Sequence, residues 1–276
     1  MTSTFALFTT HPELVRCQLA RLEGQVDLGA PGRFDQLGVG SFAEEEVLLR
    51  RLSRSPVPPR LSELFSDGGT ESLIVQARAS SPSRSAEGET QPLRFRHWLF
   101  ALEGSVPEFP RLRPALEASL PEYLRRHVRI ETEGEAAFAL FLEGLRELGR
   151  TDDRSLEAER AAQLAGRAAR RLSRLSAEAG ASRSASVSLV ATNARTLVAA
   201  RLGSEPLFYT LLEGTDVCAS CGVTPESPEL RPLVRAHRRC RSVAVATRVQ
   251  GGRWIEIAPG QVLSVNDRAE VRVEAF

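Results

Sequence analysis

Two apolar stripes at helical spacing stand side by side in the middle of this chain, with strand-like runs on either side. Phe138, Phe141, Leu142, Leu145 and Leu148 form the first, behind the capping-box sequence Thr132-Glu133-Gly134-Glu135. Leu156, Leu164, Ala168, Leu172 and Leu175 form the second, in a helix expected over roughly 153–178. Strand-like runs at 4–9, 37–42, 46–49, 72–78 and 97–101 precede the pair. Runs at 186–191, 196–202, 207–212, 242–247, 254–257, 261–265 and 270–274 follow it. There is neither strand–helix alternation nor an internal repeat. Such an order disfavours a doubly wound parallel sheet and predicts an α+β fold, with helices layered on sheets. A 276-residue chain with 42% hydrophobic residues buries a substantial core, and the expectation is a single domain over 1–276.

Shorter elements fill the gaps. Thr10-His11-Pro12-Glu13 reads as a helix start, with Leu14, Cys17, Leu19 and Leu22 as its apolar stripe. Residues 112–128 are helix-like, with breaks expected at Pro114 and Pro121. Pro56, Pro58 and Pro59 mark a loop, and a polar loop runs from Pro82 past Gly88 to Pro92. Residues 213–235 form an irregular excursion.

Charge excludes some partners. Thirty-six basic against 35 acidic residues give a net charge of +1, which makes no electrostatic case for nucleic acid. The arginines of the second helix, Arg160, Arg167, Arg170, Arg171 and Arg174, are interleaved with acids and read as a solvated face. No apolar run reaches membrane-span length, and four unevenly spaced cysteines make no disulfide scaffold, so a cytoplasmic location is expected.

Two stretches carry chemistry. At the first, Thr2 follows the initiator Met1, whose removal would leave a hydroxyl beside a free α-amine, a nucleophile with its own base. The alternative is an inert terminus. At the second, Cys218-Ala219-Ser220-Cys221 precedes His237-Arg238-Arg239-Cys240 by fifteen residues. Cys218, Cys221, His237 and Cys240 would supply a tetrahedral Cys₃His set for structural zinc, clipping an excursion over 213–241. Unrelated thiols, with Cys240 packed in a core, and a redox pair are the other readings.

Several pieces then line up in order. They are Met1-Thr2-Ser3-Thr4-Phe5-Ala6-Leu7, Leu37-Gly38-Val39-Gly40-Ser41-Phe42 and Gln76-Ala77-Arg78-Ala79-Ser80-Ser81. Thr90-Gln91-Pro92-Leu93, Trp98-Leu99-Phe100-Ala101-Leu102-Glu103-Gly104 and Glu131-Thr132-Glu133-Gly134-Glu135 follow. Late strands at Arg201-Leu202-Gly203, Pro206-Leu207-Phe208-Tyr209 and Ile257-Ala258-Pro259-Gly260 complete the series. Together they resemble the class II glutamine amidotransferases, N-terminal nucleophile hydrolases with a four-layer α/β/β/α sandwich.

The resemblance implies a site and shows where this chain departs from it. The family's N-terminal cysteine nucleophile corresponds to Thr2. Its oxyanion hole, an Asn amide and the next Gly N–H, corresponds to Glu103 and Gly104. Its carboxylate-binding arginine corresponds to Arg78, its loop histidine to Gln91, and its amino-group-binding Asp to Glu133. An ionised Glu103 would repel an oxyanion, and losing one donor costs about 10²–10³ in rate. The implied function is a glutaminase-type amide hydrolase, weak or inactive toward glutamine. The alternatives are a non-catalytic module that binds a ligand or a protein partner, including a second copy, and a threonine amidase acting on another small amide or amino acid. None requires a cofactor for catalysis.

Overall fold

The computed structural model describes all residues except 1, 30–35, 45, 54–59, 66–67, 79–90 and 229–230. Met1, the loop prolines at 56–59, Ala79 to Ser81, Pro82, Gly88 and Thr90, all named above, lie outside the described residues.

The strands fall into two antiparallel sheets. The first holds β1 (Thr2–Thr9), β2 (Gln36–Ala43), β3 (Glu46–Ser53) and β4 (Ser72–Arg78), and the second begins with β5 (Leu93–Phe95) and β6 (Trp98–Ser105). After the helices, β7 (Ser186–Thr192) and β8 (Leu197–Leu202) extend the second sheet. The strands β9 (Phe208–Leu212), β10 (Ser242–Ala246) and β11 (Ile255–Glu256) return to the first. The last two, β12 (Gln261–Val265) and β13 (Val271–Ala275), close the second. The first sheet runs β11-β9-β10-β1-β4-β2-β3, and the second β13-β12-β8-β7-β6-β5. Both are antiparallel, and strand alternation therefore sends successive side chains to opposite faces.

That alternation builds three cores. Ala6 and Phe8 of β1, Ile74 of β4, Leu99 and Ala101 of β6, and Val243 and Val245 of β10 meet between the sheets. Phe5, Leu7, Val75 and Ala244 face the other way, onto a short helix α1 (Val15–Arg21). Trp98, Phe100 and Leu102 turn outward from the second sheet onto α2 (Phe109–Ser119), α3 (Glu122–His127), α4 (Glu133–Glu147) and α5 (Ala158–Glu178). A further helix, α6 (Pro232–Arg239), precedes β10. Phe100 stacks on Phe138 at 5.0 Å, and Trp98 meets Phe141 edge-on at 5.0 Å, so the first apolar stripe of the sequence is the face α4 lays on β6. The result is the expected four layers, helix–sheet–sheet–helix.

Local expectations fare unevenly. The capping box holds: Thr132 Oγ1 accepts from Glu135 N at 3.2 Å, and Glu135 Oε2 accepts from Thr132 N at 2.9 Å. Thr10 caps no helix, because its hydroxyl accepts from Arg241 N at 3.0 Å and a 3-10 turn at Pro12–Leu14 precedes α1. The second long helix starts at Ala158 rather than near 153, since the Asp153 carboxylate accepts from Ser155 N at 2.8 Å and holds a turn there. Only Pro121 divides the 112–128 stretch; Pro114 lies inside α2, which buries Leu112 and Leu116 on either side of it. The arginine face of α5 meets acids, with Arg167 2.9 Å from Glu147 and Arg171 on Glu143. Among the described residues, no helix is long and apolar enough to cross a membrane.

Candidate functional site

Parity along the strands sets the site. In β1, Ala6 and Phe8 point between the sheets, so Thr4 and Thr2 continue the same face toward the strand's start. In β4 the same face passes from Ile74 to Gln76 and Arg78, and Thr2 stands opposite Arg78 in the pairing. In β6 it passes from Leu99 and Ala101 to Glu103. Thr247, just past β10, follows Val243 and Val245 on that face. Thus Thr2, Arg78 and Glu103 belong to one end of the inter-sheet space.

The end is a hydrogen-bonded network. Gln76 Nε2 donates to Thr4 Oγ1 at 3.0 Å and to the Leu102 carbonyl at 3.1 Å, which ties the two sheets together. Thr247 Oγ1 accepts from Thr4 N at 2.9 Å and donates to Glu103 Oε2 at 2.6 Å. Arg248 Nε donates to the Thr2 carbonyl at 2.9 Å and lies 3.8 Å from Glu103 Oε1. Glu103 is only 5% exposed. Burial pushes its carboxyl up to about 7, against the opposing pull of the Thr247 hydroxyl and the Arg248 guanidinium. A large fraction of Glu103 is therefore neutral near pH 7.

The remaining expected residues sit around this end. Gln91 accepts at Oε1 from Leu102 N at 2.6 Å, and its amide lies against Gly134 at the start of α4, next to Glu133. The backbone of Gln91 passes so close to β2 that a Cβ on Gly38 would lie 1.9 Å from its carbonyl oxygen. A Cβ on Gly40 would lie 2.7 Å from Pro92. The Gly-Val-Gly of β2 thus exists to admit the Gln91-Pro92 loop. Gly104 has φ +120, and a Cβ there would strike the Ser186 carbonyl at 2.1 Å, so glycine is required on two counts. The sequence assigned no site role to Thr4, Gln76, Thr247 or Arg248. Parity within the strand at 72–78 would have found Gln76, but Arg248 follows a strand end and carries no local signal.

A second cluster forms on the far side of the first sheet. Ligand atoms of Cys17, Cys218, Cys221 and His237 all lie within 4.8 Å of one another. Three of these are the expected residues. The fourth is Cys17 of α1 and not Cys240, which instead packs its thiol 3.3 Å from Thr9 Oγ1 and 3.7 Å from Ser242 Oγ. The cause is the end of α6: the chain leaves the helix at Cys240 in extended conformation and turns that side chain toward β1. Burial, reinforced by the Cys221 and Cys218 thiols, pushes the Cys17 thiol up. Burial and the charge of Arg21 push the His237 ring down, which favours the neutral imidazole with one nitrogen lone pair to offer.

No family model matches this chain, and no curated protein matches it. Solved structures do. A glutamine aminotransferase class-II domain protein from Silicibacter pomeroyi superimposes with a TM-score of 0.60 and 18% identity, covering 99% of both chains. A predicted glutamine amidotransferase from Pseudomonas aeruginosa gives 0.56 and 14% identity, over 98% of this chain and 95% of that one. Glutamine phosphoribosylpyrophosphate amidotransferase from B. subtilis gives 0.56 and 13% identity, and this chain spans 49% of its length. With its four layers and two antiparallel sheets, the chain has the fold of the class II glutamine amidotransferases and their N-terminal nucleophile sandwich, at an identity of 18% or less to these three.

Proposed function

We propose that this protein keeps the glutaminase fold and its small-molecule pocket while having weak or no hydrolytic activity toward glutamine. The supporting observation is the Glu103 carboxyl, buried at the end of the inter-sheet space that also takes Thr2 and Arg78. In a working site of this kind, Thr2 Oγ attacks the amide carbonyl and its own α-amine takes the proton. The carbonyl oxygen becomes an oxyanion, and ammonia leaves as the acyl-enzyme forms. Water then releases the acid. Arg78 would hold the substrate carboxylate with its guanidinium fork, and Glu133 and Gln91 would meet the amino-acid end.

Glu103 limits this chemistry, by repulsion when ionised and by its proton requirement when neutral. Ionised, it stands where the oxyanion develops and repels it. Neutral, it could donate, but it must then be protonated while the Thr2 amine is not. Burial raises Glu103 to about 7, so it loses its proton at or below the pH at which an N-terminal amine, ordinarily near 8, loses its own. Only a minority of molecules then carries a protonated Glu103 beside a neutral amine, and Gln91 and Glu133 in place of the family's His and Asp lower the rate further. A ligand carrying an amide and a carboxylate would still bind through Arg78. Ammonia release from glutamine by protein whose intact mass shows Met1 removed tests the proposal. Release at an ordinary enzyme rate would overturn it, and a trace or none is expected.

A further inference from the structure

We infer that Cys17, Cys218, Cys221 and His237 form a closed structural zinc site that ties the first helix to the 213–241 excursion. Four ligand atoms from three separate parts of the chain lie within 4.8 Å of one another. A tetrahedral zinc with Zn–S of about 2.3 Å holds its ligand atoms about 3.8 Å apart, so small side-chain adjustments bring this set onto an ion. His237 is 1% exposed, and neither of its ring nitrogens has a hydrogen-bond partner among the described residues. A buried imidazole with both nitrogens unpaired is costly, and a metal bond to one of them lowers that cost.

The backbone around the cysteines suits the same end. Cys218 N donates to the Val223 carbonyl at 2.9 Å and Val223 N to the Cys218 carbonyl at 3.1 Å. With Gly222 at φ +66, this pairing folds the Cys218-Ala-Ser-Cys221 turn tightly, so that both of its thiols join the cluster. His237 comes from within α6, and Cys17 from α1. Three thiolates and an imidazole in a compact group match zinc better than harder or larger cations, and four protein ligands leave no position for a substrate. The ion would therefore bind α1, which follows β1, to α6, which leads into β10, the strand paired with β1. This inference stands independently of any activity at Thr2.

The test is metal content of the full chain purified under reducing conditions, by elemental mass spectrometry, with zinc release scored by a colorimetric chelator on thiol titration. One zinc per chain is expected for the wild type and for Cys240→Ser, and loss of zinc for Cys17→Ser and Cys221→Ser. Should those serine variants fail to fold, cobalt added to the chelated wild type reports the same site. Intense thiolate charge-transfer bands and strong tetrahedral d–d absorption support it; weak octahedral absorption overturns it. Wild type without metal, zinc retained by Cys17→Ser but lost from Cys240→Ser, or an intact mass two hydrogens lower from a Cys17–Cys221 disulfide would each overturn it.

Discussion

Gly38 shows how a single hydrogen in place of a side chain shapes the site. A methyl there would overlap the Gln91 carbonyl at 1.9 Å, and the loop carrying Gln91 is held on its other side by Leu102 N. Neither partner is a flexible side-chain end, so Gly38→Ala should lower stability by about 1–3 kcal/mol or more, read by urea denaturation. A stability within 0.5 kcal/mol of wild type, about the usual size of a surface change, would contradict this close approach. At this scale the sequence was informative where neighbours are local. The Gly-Val-Gly, Arg78 and Gly104 stood in recognisable runs, and Thr2 pairs with Arg78 as a strand start should. Cys17 was illegible for a physical reason. Its position on an apolar helical stripe explains it as a core residue, and its cluster partners lie some two hundred positions away. Arg248 was hidden likewise, because its roles at Thr2 and Glu103 exist only after β10 pairs with β1.

Among the elements, α4 is the best specified by its own residues. Its cap, its acidic first turn and its apolar stripe agree, and the helix starts at Glu133 as the capping box demands. Thr132→Ala removes the hydroxyl that accepts from Glu135 N, and a loss of about 1 kcal/mol in global stability is expected from chemical denaturation. An unchanged midpoint would mean that packing on β6 alone fixes the helix start. Elsewhere tertiary partners override local signals. Thr10 resembles a cap, but the backbone of Arg241 claims its hydroxyl once β1 and β10 are joined. Pro114 is tolerated inside α2 because Leu112 and Leu116 hold that helix on the core. The strand expected at 97–101 runs on to Ser105, since pairing with β7 extends it, and that extension carries Glu103 and Gly104.

At the scale of the whole molecule, the layer order followed from the sequence because two adjacent helices between blocks of strands leave few ways to bury all three faces. Among the buried titrating groups described, Glu103 and His97 set opposite pH trends. Glu103, ordinarily near 4.5, is raised to about 7 by burial, so the folded chain holds a proton that the unfolded chain has lost. Its contribution to stability therefore falls as pH rises from about 4.5 to 7. His97, 7% exposed, is lowered from 6.5 to about 4 by burial and by Arg154 and Arg96, so its contribution rises with pH between those values. Each displacement corresponds to about 3 kcal/mol, and the two nearly cancel over the shared window. Comparing wild type with Glu103→Gln by urea denaturation at several pH values should isolate the first. The stability difference, wild type minus variant, should drop by about 3 kcal/mol between pH 4.5 and 7, and a constant difference would contradict the raised carboxyl. In the proposed function the same carboxyl opposes amide hydrolysis, and the most direct measurement of that role is glutamine-dependent ammonia release by mature wild type, Thr2→Cys and Thr2→Cys/Glu103→Asn side by side. The expected result is little or no release by wild type and a gain of about 10²–10³ on adding Glu103→Asn to Thr2→Cys. A wild type that already hydrolyses glutamine at an ordinary enzyme rate, or a double variant no faster than Thr2→Cys alone, would contradict the proposed role of Glu103.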